Sequence, residues 1–192
     1  MKRSFAIILA VIAVIAVVWG IKSYNGLVNG EEGVNAAWSD VENVYQRRAD
    51  LIPNLVATVK GYAAHEQETL EAVVEARSKA SQVNVSELSE AGLSEFQSAQ
   101  NGLSEALGRL MVVVERYPEL KANENFLDLQ AQLEGTENRI AEARRLFNEK
   151  ARTYNSGIRR FPTNIIAGIF GFDAKGYFAA DEAAKQAPKV EF

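Results

Sequence analysis

From Phe5 to Ile21 the chain reads FAIILAVIAVIAVVWGI, a run without a charge or a strongly polar side chain. As a helix it is about 26 Å long, close to the thickness of a bilayer's hydrocarbon core. A helix satisfies all of its backbone N–H and C=O groups internally, which is what lets such a run enter lipid. Lys2 and Arg3 precede it, and Trp19 and Lys22 mark its far end. A cleaved secretory signal would need small residues in an A-x-A-like pattern after the apolar stretch, and Val18-Trp19-Gly20 does not supply one. Residues 1–22 are therefore expected to be an uncleaved transmembrane anchor that meets the lipid bilayer through residues 5–21. Two cations and the amino terminus on the short side, against Lys22 on the other, place the N-terminus in the cytoplasm. The soluble part is then extracytoplasmic, and a cytoplasmic placement is the alternative.

What remains beyond the anchor is acidic. Without Lys2 and Arg3, the 21 basic residues fall to 19, against 25 acidic ones. The basic pairs Arg47-Arg48, Arg144-Arg145 and Arg159-Arg160 are interleaved with acids or apolar residues, so no concentrated basic face is available to neutralise phosphates, and nucleic acid is not an expected partner. There is no Cys and a single His. That removes disulfides, thiolate metal sites and Cys nucleophiles. His65-Glu66 opens a zinc-protease pattern, but the position of its second His is Thr69, and one ligand makes no metal site. Gly171-Phe172-Asp173-Ala174-Lys175-Gly176 lacks both the spacing and the Ser or Thr of a phosphate-binding loop. No cofactor, metal site or catalytic residue is expected.

Helical periodicity dominates the soluble part. Asn25-Gly26 and Asn29-Gly30 suggest a flexible neck over 23–33. Val34, Trp38, Val41, Tyr45, Ile52, Leu55, Val59 and Tyr62 then recur at alternating spacings of three and four, with Arg48 as the polar member of the stripe. The phase survives Pro53, which predicts one long helix, kinked where Pro53 cannot bond the Ala49 carbonyl, and continuing to about Ala80. Ser81–Ser86 reads as a loop, with Ser86 as the N-cap of the next helix. A second seam runs through Leu93, Phe96, Gln100, Leu103, Leu107, Leu110, Val114 and Tyr117 to Pro118. A third begins near Asn125 and runs through Phe126, Leu129, Leu133, Thr136, Ile140, Ala143, Phe147, Lys150, Tyr154 and Ile158 to Phe161 and Pro162. No alternating strand pattern competes with these seams. The expected fold is all-α: a single N-terminal transmembrane helix, then an antiparallel up-and-down bundle of four helical segments over 34–162, the first kinked at Pro53.

Residues 163–192 have a different character. Phe161 to Phe172 is apolar and interrupted by Gly168 and Gly171, too short to span a bilayer and too Gly-rich for a good helix. Ile165, Ile166, Ile169, Phe170, Phe172, Tyr177 and Phe178 are expected to fold back over one end of the bundle, or else to contact lipid, a partner or another copy of the chain. Asp181–Phe192, rich in Ala and charge, is expected to be mobile.

Several ordered motifs carry a resemblance. Asn35-Ala36-Ala37-Trp38-Ser39-Asp40-Val41-Glu42, Arg47-Arg48-Ala49-Asp50-Leu51-Ile52-Pro53-Asn54-Leu55-Val56, Val59-Lys60-Gly61-Tyr62-Ala63 and His65-Glu66 resemble the LemA family. So do Arg116-Tyr117-Pro118-Glu119-Leu120-Lys121-Ala122-Asn123, Tyr154-Asn155 and the closing Phe161-Pro162, Gly171-Phe172 and Lys175. The resemblance covers essentially the whole chain. It implies a bacterial single-pass membrane protein with a helical-bundle domain, and it carries over no catalytic residues.

Arg48 on the seam would be buried, and an unpaired guanidinium there costs several kcal/mol, so a carboxylate or carbonyl partner is expected. Arg47, Arg48 and Asp50 are expected to bond across helices and fix register, as are Gln100, Thr136 and Lys150. The residues expected to make contacts or set register are Trp38, Arg47, Arg48, Asp50, Pro53, Asn54, Tyr117, Tyr154, Phe161, Ile165, Ile166, Ile169, Phe170 and Phe172. The function that accounts for most of these features is a membrane-anchored, non-catalytic scaffold that binds an unidentified protein or assembles as a homo-oligomer. A membrane-remodelling oligomer working through residues 165–172, and an enzyme or ligand sensor with a polar pocket around Arg48, are the alternatives.

Overall fold

A computed structural model of the chain describes residues 2–179, and every regular element among them is helical. The helices are α1 (Lys2–Tyr62), α2 (Gln67–Gln82), α3 (Glu90–Val114), α4 (Pro118–Lys121), α5 (Glu124–Arg159) and α6 (Thr163–Phe170). Asp181–Phe192 lies outside the described residues.

α1 carries the apolar run without a break into the seam. Phe5 and the Ile, Leu and Val side chains through Ile21 are 51–66% exposed, the surface a candidate membrane-spanning segment presents, and Trp19 is half-buried. Residues 23–33 are helical as well, which corrects the expectation of a flexible neck. Glycine inside a helix costs only about 1 kcal/mol, and at Gly30 packing accounts for it: a Cβ there would sit 3.2 Å from Cδ2 of Tyr154.

Pro53 lies within α1 and does not divide it. The proline has no N–H for the Ala49 carbonyl, and Nε of Arg77, reaching over from α2, donates to that carbonyl at 2.7 Å. The two positions should therefore be energetically coupled. Arg77→Ala is expected to cost about 1–2 kcal/mol in the native chain, and clearly less once Pro53→Ala has given Ala49 a helical partner. Equal costs in the two backgrounds, measured by thermal unfolding, would refute the coupling.

The stripe does not continue as one helix to Ala80. α1 ends at Tyr62, and the chain turns through Ala63–Glu66, with the Glu66 N–H bonded to the Ala63 carbonyl at 3.1 Å, before α2 begins. Val59, Ala63, Leu70 and Val73 are all buried, so the apolar phase passes through a tight turn as it would through a continuous helix. The division falls here rather than at Pro53. The local signal for it was Lys60 in the last turn, where a cation meets the negative end of the helix dipole.

α3 starts one turn later than Ser86 would have it. Ser89, in extended backbone, caps the helix by accepting from the Gly92 N–H at 3.2 Å. Asn123 does the same for α5, its Oδ1 accepting from the Phe126 N–H at 3.0 Å. The segment after Pro162 is also helical, against expectation. α6 ends on Gly171, whose φ of 73° is the left-handed conformation glycine adopts without strain, and the N–H of Phe172 bonds back to the Ala167 carbonyl at 3.0 Å. The glycine that seemed to argue against a helix is its C-terminal stop.

The packing falls into two units. In one, residues up to Asp40 pack with Leu146–Lys175, and the buried side chains include Leu27, Val34, Trp38, Phe147, Ala151, Tyr154 and Ile158. Trp38 and Phe147 meet edge to face, with ring centres 5.8 Å apart. In the other, Val41–Arg145 pack with residues 176–179. Its core joins Ile52, Leu55 and Val59 of α1 to Leu70 and Val73 of α2, Leu103, Leu107 and Leu110 of α3, Leu120 of α4, and Phe126, Leu129 and Leu133 of α5.

Candidate functional site

Arg48 is 1% exposed, the largest polar side chain in the interior. Its stripe position on α1 turns it inward, where groups from α3 and α5 converge on it. Nη1 donates to Oε1 of Glu137 at 2.8 Å and to Oγ of Ser104 at 3.0 Å. Nη2 donates to the Gln100 carbonyl at 3.3 Å and to the Gln100 side-chain oxygen. The Gln100 amide nitrogen in turn donates to the Ala80 carbonyl at 3.4 Å, and the guanidinium carbon lies 5.0 Å from the centre of the Tyr45 ring. The polar centre is thus filled by protein groups, with Glu137 as the carboxylate. Nε of Arg48 is buried without a hydrogen-bond partner among the described residues.

The neighbouring motif residues behave otherwise. Arg47 and Asp50 are exposed, and Asp50 accepts from Gln46 of its own helix at 2.8 Å, so this pair does not tie helices together as expected. Thr136 is buried but donates to the Gln132 carbonyl one turn back in α5, and Lys150 is exposed. Pro53 and Asn54 are exposed too, and the Asn54 carbonyl accepts from Thr58 at 2.8 Å.

A second cluster joins motifs far apart in sequence. The Tyr117 hydroxyl donates to Oε1 of Glu66 at 3.1 Å, Arg116 pairs with the same oxygen at 3.1 Å, and the Asn123 amide donates to the Tyr62 hydroxyl at 2.9 Å. Glu66 thus serves as an acceptor at the α1–α2 corner, while His65 is exposed. The bond to Glu66 pushes the Tyr117 phenol above its ordinary value.

The third cluster surrounds Tyr154. The side-chain amide of the adjacent Asn155 makes two bonds to one residue, donating to the Lys175 carbonyl at 2.8 Å and accepting from the Lys175 N–H at 2.9 Å. Nζ of Lys175 pairs with Glu31 of α1 at 2.5 Å and lies 5.7 Å from the centre of the Tyr154 ring. The Tyr154 hydroxyl is buried without a partner among the described residues. Gln97 repeats the device elsewhere on the chain, giving and receiving bonds of 3.2 Å with the backbone of Ala179. Neither amide was legible as a clamp, since each pairs with backbone rather than with a complementary side chain.

Burial first, then the carboxylates of Glu31 and Asp173, pushes the Tyr154 phenol up to about 12. An unfolded phenol titrates near 10, so as the pH rises the unfolded chain loses this proton first. The stabilisation is complete below pH ~10 and is lost by pH ~12. Tyr154→Phe removes an unpartnered hydroxyl, so at neutral pH it is expected to melt within about 1 kcal/mol of the native chain. It should lose less stability than the native chain between those two pH values. Circular-dichroism melting across the range checks this, and parallel losses would refute it.

The tail residues divide between two environments. Tyr24 meets Phe170 and Phe172 edge on, at 4.9 and 5.6 Å, and Ala167 is buried. Phe161, Ile165, Ile169 and Phe170 remain 81%, 49%, 69% and 58% exposed, and Ile166 is half-buried.

Arg48 and most residues of the second and third clusters carried the family resemblance, and the wider comparison agrees. The sequence model of the LemA family matches residues 37–192. Magnetosome protein MamQ 2 of Paramagnetospirillum magneticum is 30% identical over an alignment covering 89% of this chain and 69% of that protein. Magnetosome protein MamQ of Magnetospirillum gryphiswaldense is also 30% identical, over 81% of this chain and 64% of its own length. Protein LemA of Metamycoplasma hominis is 27% identical, over 82% of this chain and 69% of that protein. The chain thus spans about two thirds of the length of these bacterial relatives, whose names specify no reaction. With a family match over residues 37–192, most of the chain, the protein belongs to the LemA family.

Proposed function

We propose that the protein is a membrane-anchored, non-catalytic scaffold that holds proteins, or further copies of itself, at the membrane surface. The observation that carries this reading is the continuity of α1, which runs from the exposed apolar segment into the buried seam without a break. A helix that continues from the apolar segment into buried packing suits presentation of a surface next to the bilayer. The filled centre around Arg48 supports a structural role for the polar interior, since its acceptors leave the guanidinium facing protein rather than a ligand. On this reading residues 1–22 form the anchor, 23–33 a helical neck, 34–162 an antiparallel up-and-down bundle, and 163–192 a tail.

The short cationic segment before the anchor supports a cytoplasmic N-terminus and an extracytoplasmic bundle. The lack of native Cys makes a single engineered thiol, tested with an impermeant reagent in intact cells, a clean probe of that orientation. The scaffold role itself is tested by crosslinking in intact membranes followed by mild detergent extraction. Retained partners or repeated copies are expected, and a strictly monomeric chain that retains no partner would sink the proposal.

A further inference from the structure

Among the exposed apolar surfaces, the one on α6 adjoins the candidate membrane-spanning segment. Ile166 reaches to 3.9 Å from the position a Cβ would take on Gly20, within the last turn of the apolar run. One turn further along α1, Tyr24 packs against Phe170 and Phe172. A helix that touches Gly20 and Tyr24 lies where the run leaves the hydrocarbon and Trp19 and Tyr24 enter the interface. Away from α1, α6 shows Ile165 and Ile169, one turn apart, with the preceding Phe161 beside them, and Phe170 is still 58% exposed where it packs on Tyr24. In water this would be an unpartnered apolar patch. At this depth it has a partner, the same bilayer that surrounds residues 5–21.

Charge supports the same placement. Arg159 closes α5, Arg160 follows it in the short link to α6, and both are exposed. Arg160, Arg152 and Lys150 line a groove with Gly26, Asn29 and Gly30 of α1. Those α1 positions lie about 8–14 Å along the axis from Ile21, at or just beyond the headgroup layer. Cations at phosphate depth with apolar side chains below them make the pattern of an interfacial helix.

We infer that α6 is a second membrane contact, lying in the interface against the end of the span, with Phe161, Ile165, Ile169 and Phe170 entering the acyl boundary and Arg159 and Arg160 among the phosphates. The inference rests on the membrane-anchored reading and deepens it. Two contacts, one through the bilayer and one along its surface, would fix the rotation of α1 about its own axis, which a single span leaves free.

The test uses the full chain in nanodiscs holding one copy each. An environment-sensitive fluorophore is attached in turn at Ile169→Cys, Val14→Cys and Ala36→Cys, and its depth is read by nitroxide-labelled lipids. Ile169→Cys is expected about 5–10 Å into the headgroup and acyl boundary, with blue-shifted emission. Val14→Cys should lie deep, and Ala36→Cys, exposed on α1 about 22 Å beyond Ile21, should lie in water. A deep Val14 label with a water-like Ile169 label overturns the inference and leaves the anchor standing. Water-like emission at both overturns the anchor and the inference together. An Ile169 label shielded only in discs with several copies, and insensitive to quenching lipids, overturns it in favour of a contact between chains.

Discussion

Arg48→Ala is expected to lower the stability of the protein by about 3–5 kcal/mol, the largest loss foreseen for any single truncation in the chain. Three effects add. The cavity left by a side chain that is 1% exposed cannot be filled without moving α1, α3 or α5. The Gln100 side-chain oxygen loses its donor in a buried setting, whereas the Gln100 carbonyl keeps the one from Ser104 Oγ at 3.2 Å. The Tyr45 ring loses the cation lying 5.0 Å from its centre. Glu137 suffers less, because its side chain is 50% exposed and water can replace the guanidinium. For a chain of this size the loss corresponds to about 10 °C in melting temperature. Arg48→Met should recover the packing but not the hydrogen bonds, and fall between the two. Arg48→Lys should also be costly, because one ammonium cannot span acceptors arranged for a planar fork. Melting of the full chain in detergent or nanodiscs, followed by circular dichroism, decides the matter. If Arg48→Ala melts within a degree or two of the native chain, the guanidinium is not structural, and the pocket reading of this centre regains its force.

The seams could be read because burial in helices imposes a period. Val34 through Val59, Leu93 through Val114 and most of Phe126 through Ile158 could be placed from spacing alone, and so could the inward direction of Arg48, whereas Tyr62 at the end of the first stripe is 43% exposed. Partners were harder to read. Glu137 is one acid among many on α5, and nothing in the sequence singles it out, because the choice depends on how two helices happen to face. Arg77 is similar: Pro53 announced a free carbonyl, but not which cation would take it. The helix break at Ala63–Glu66 was hidden by a stripe whose phase passes unchanged through the turn. The tail misled for a different reason. Gly168 and Gly171 lower intrinsic helix propensity, yet α6 is held by packing of Ala167 and Phe170 and ended by Gly171, so tertiary contacts outweigh a local preference of about 1 kcal/mol. The amide clamps of Gln97 and Asn155 leave no periodic trace at all.

The tail provides the second large effect. Gly176 sits in the non-helical stretch after α6, where its N–H donates to the Leu88 carbonyl at 2.7 Å. A Cβ at this position would come within 2.7 Å of the Glu90 nitrogen and 2.8 Å of the Ser89 carbonyl carbon, both backbone atoms at the capped start of α3. Backbone there cannot yield as a flexible side chain would, since Ser89 is fixed by its bond to Gly92. Gly176→Ala must therefore lift the tail. That breaks the bond to Leu88 and draws Phe178, 4% exposed, away from Phe96 and from the Arg144 guanidinium. Overpacking and a lost buried hydrogen bond together are expected to cost about 2–4 kcal/mol. The change should also leave a local mark that a general loss of stability would not. Gln97 and Arg144 both bond the Ala179 backbone, so amide exchange at Ala179 should accelerate far more than at Leu107 or Leu110 in the core. Gly102→Ala and Gly135→Ala serve as controls: both sites are helical with no atom within 4 Å of the added Cβ, and each is expected to gain about 0.5–1 kcal/mol. A Gly176→Ala chain that melts like these controls, with exchange at Ala179 unchanged, would mean that the close approach of the tail to α3 is not what holds it.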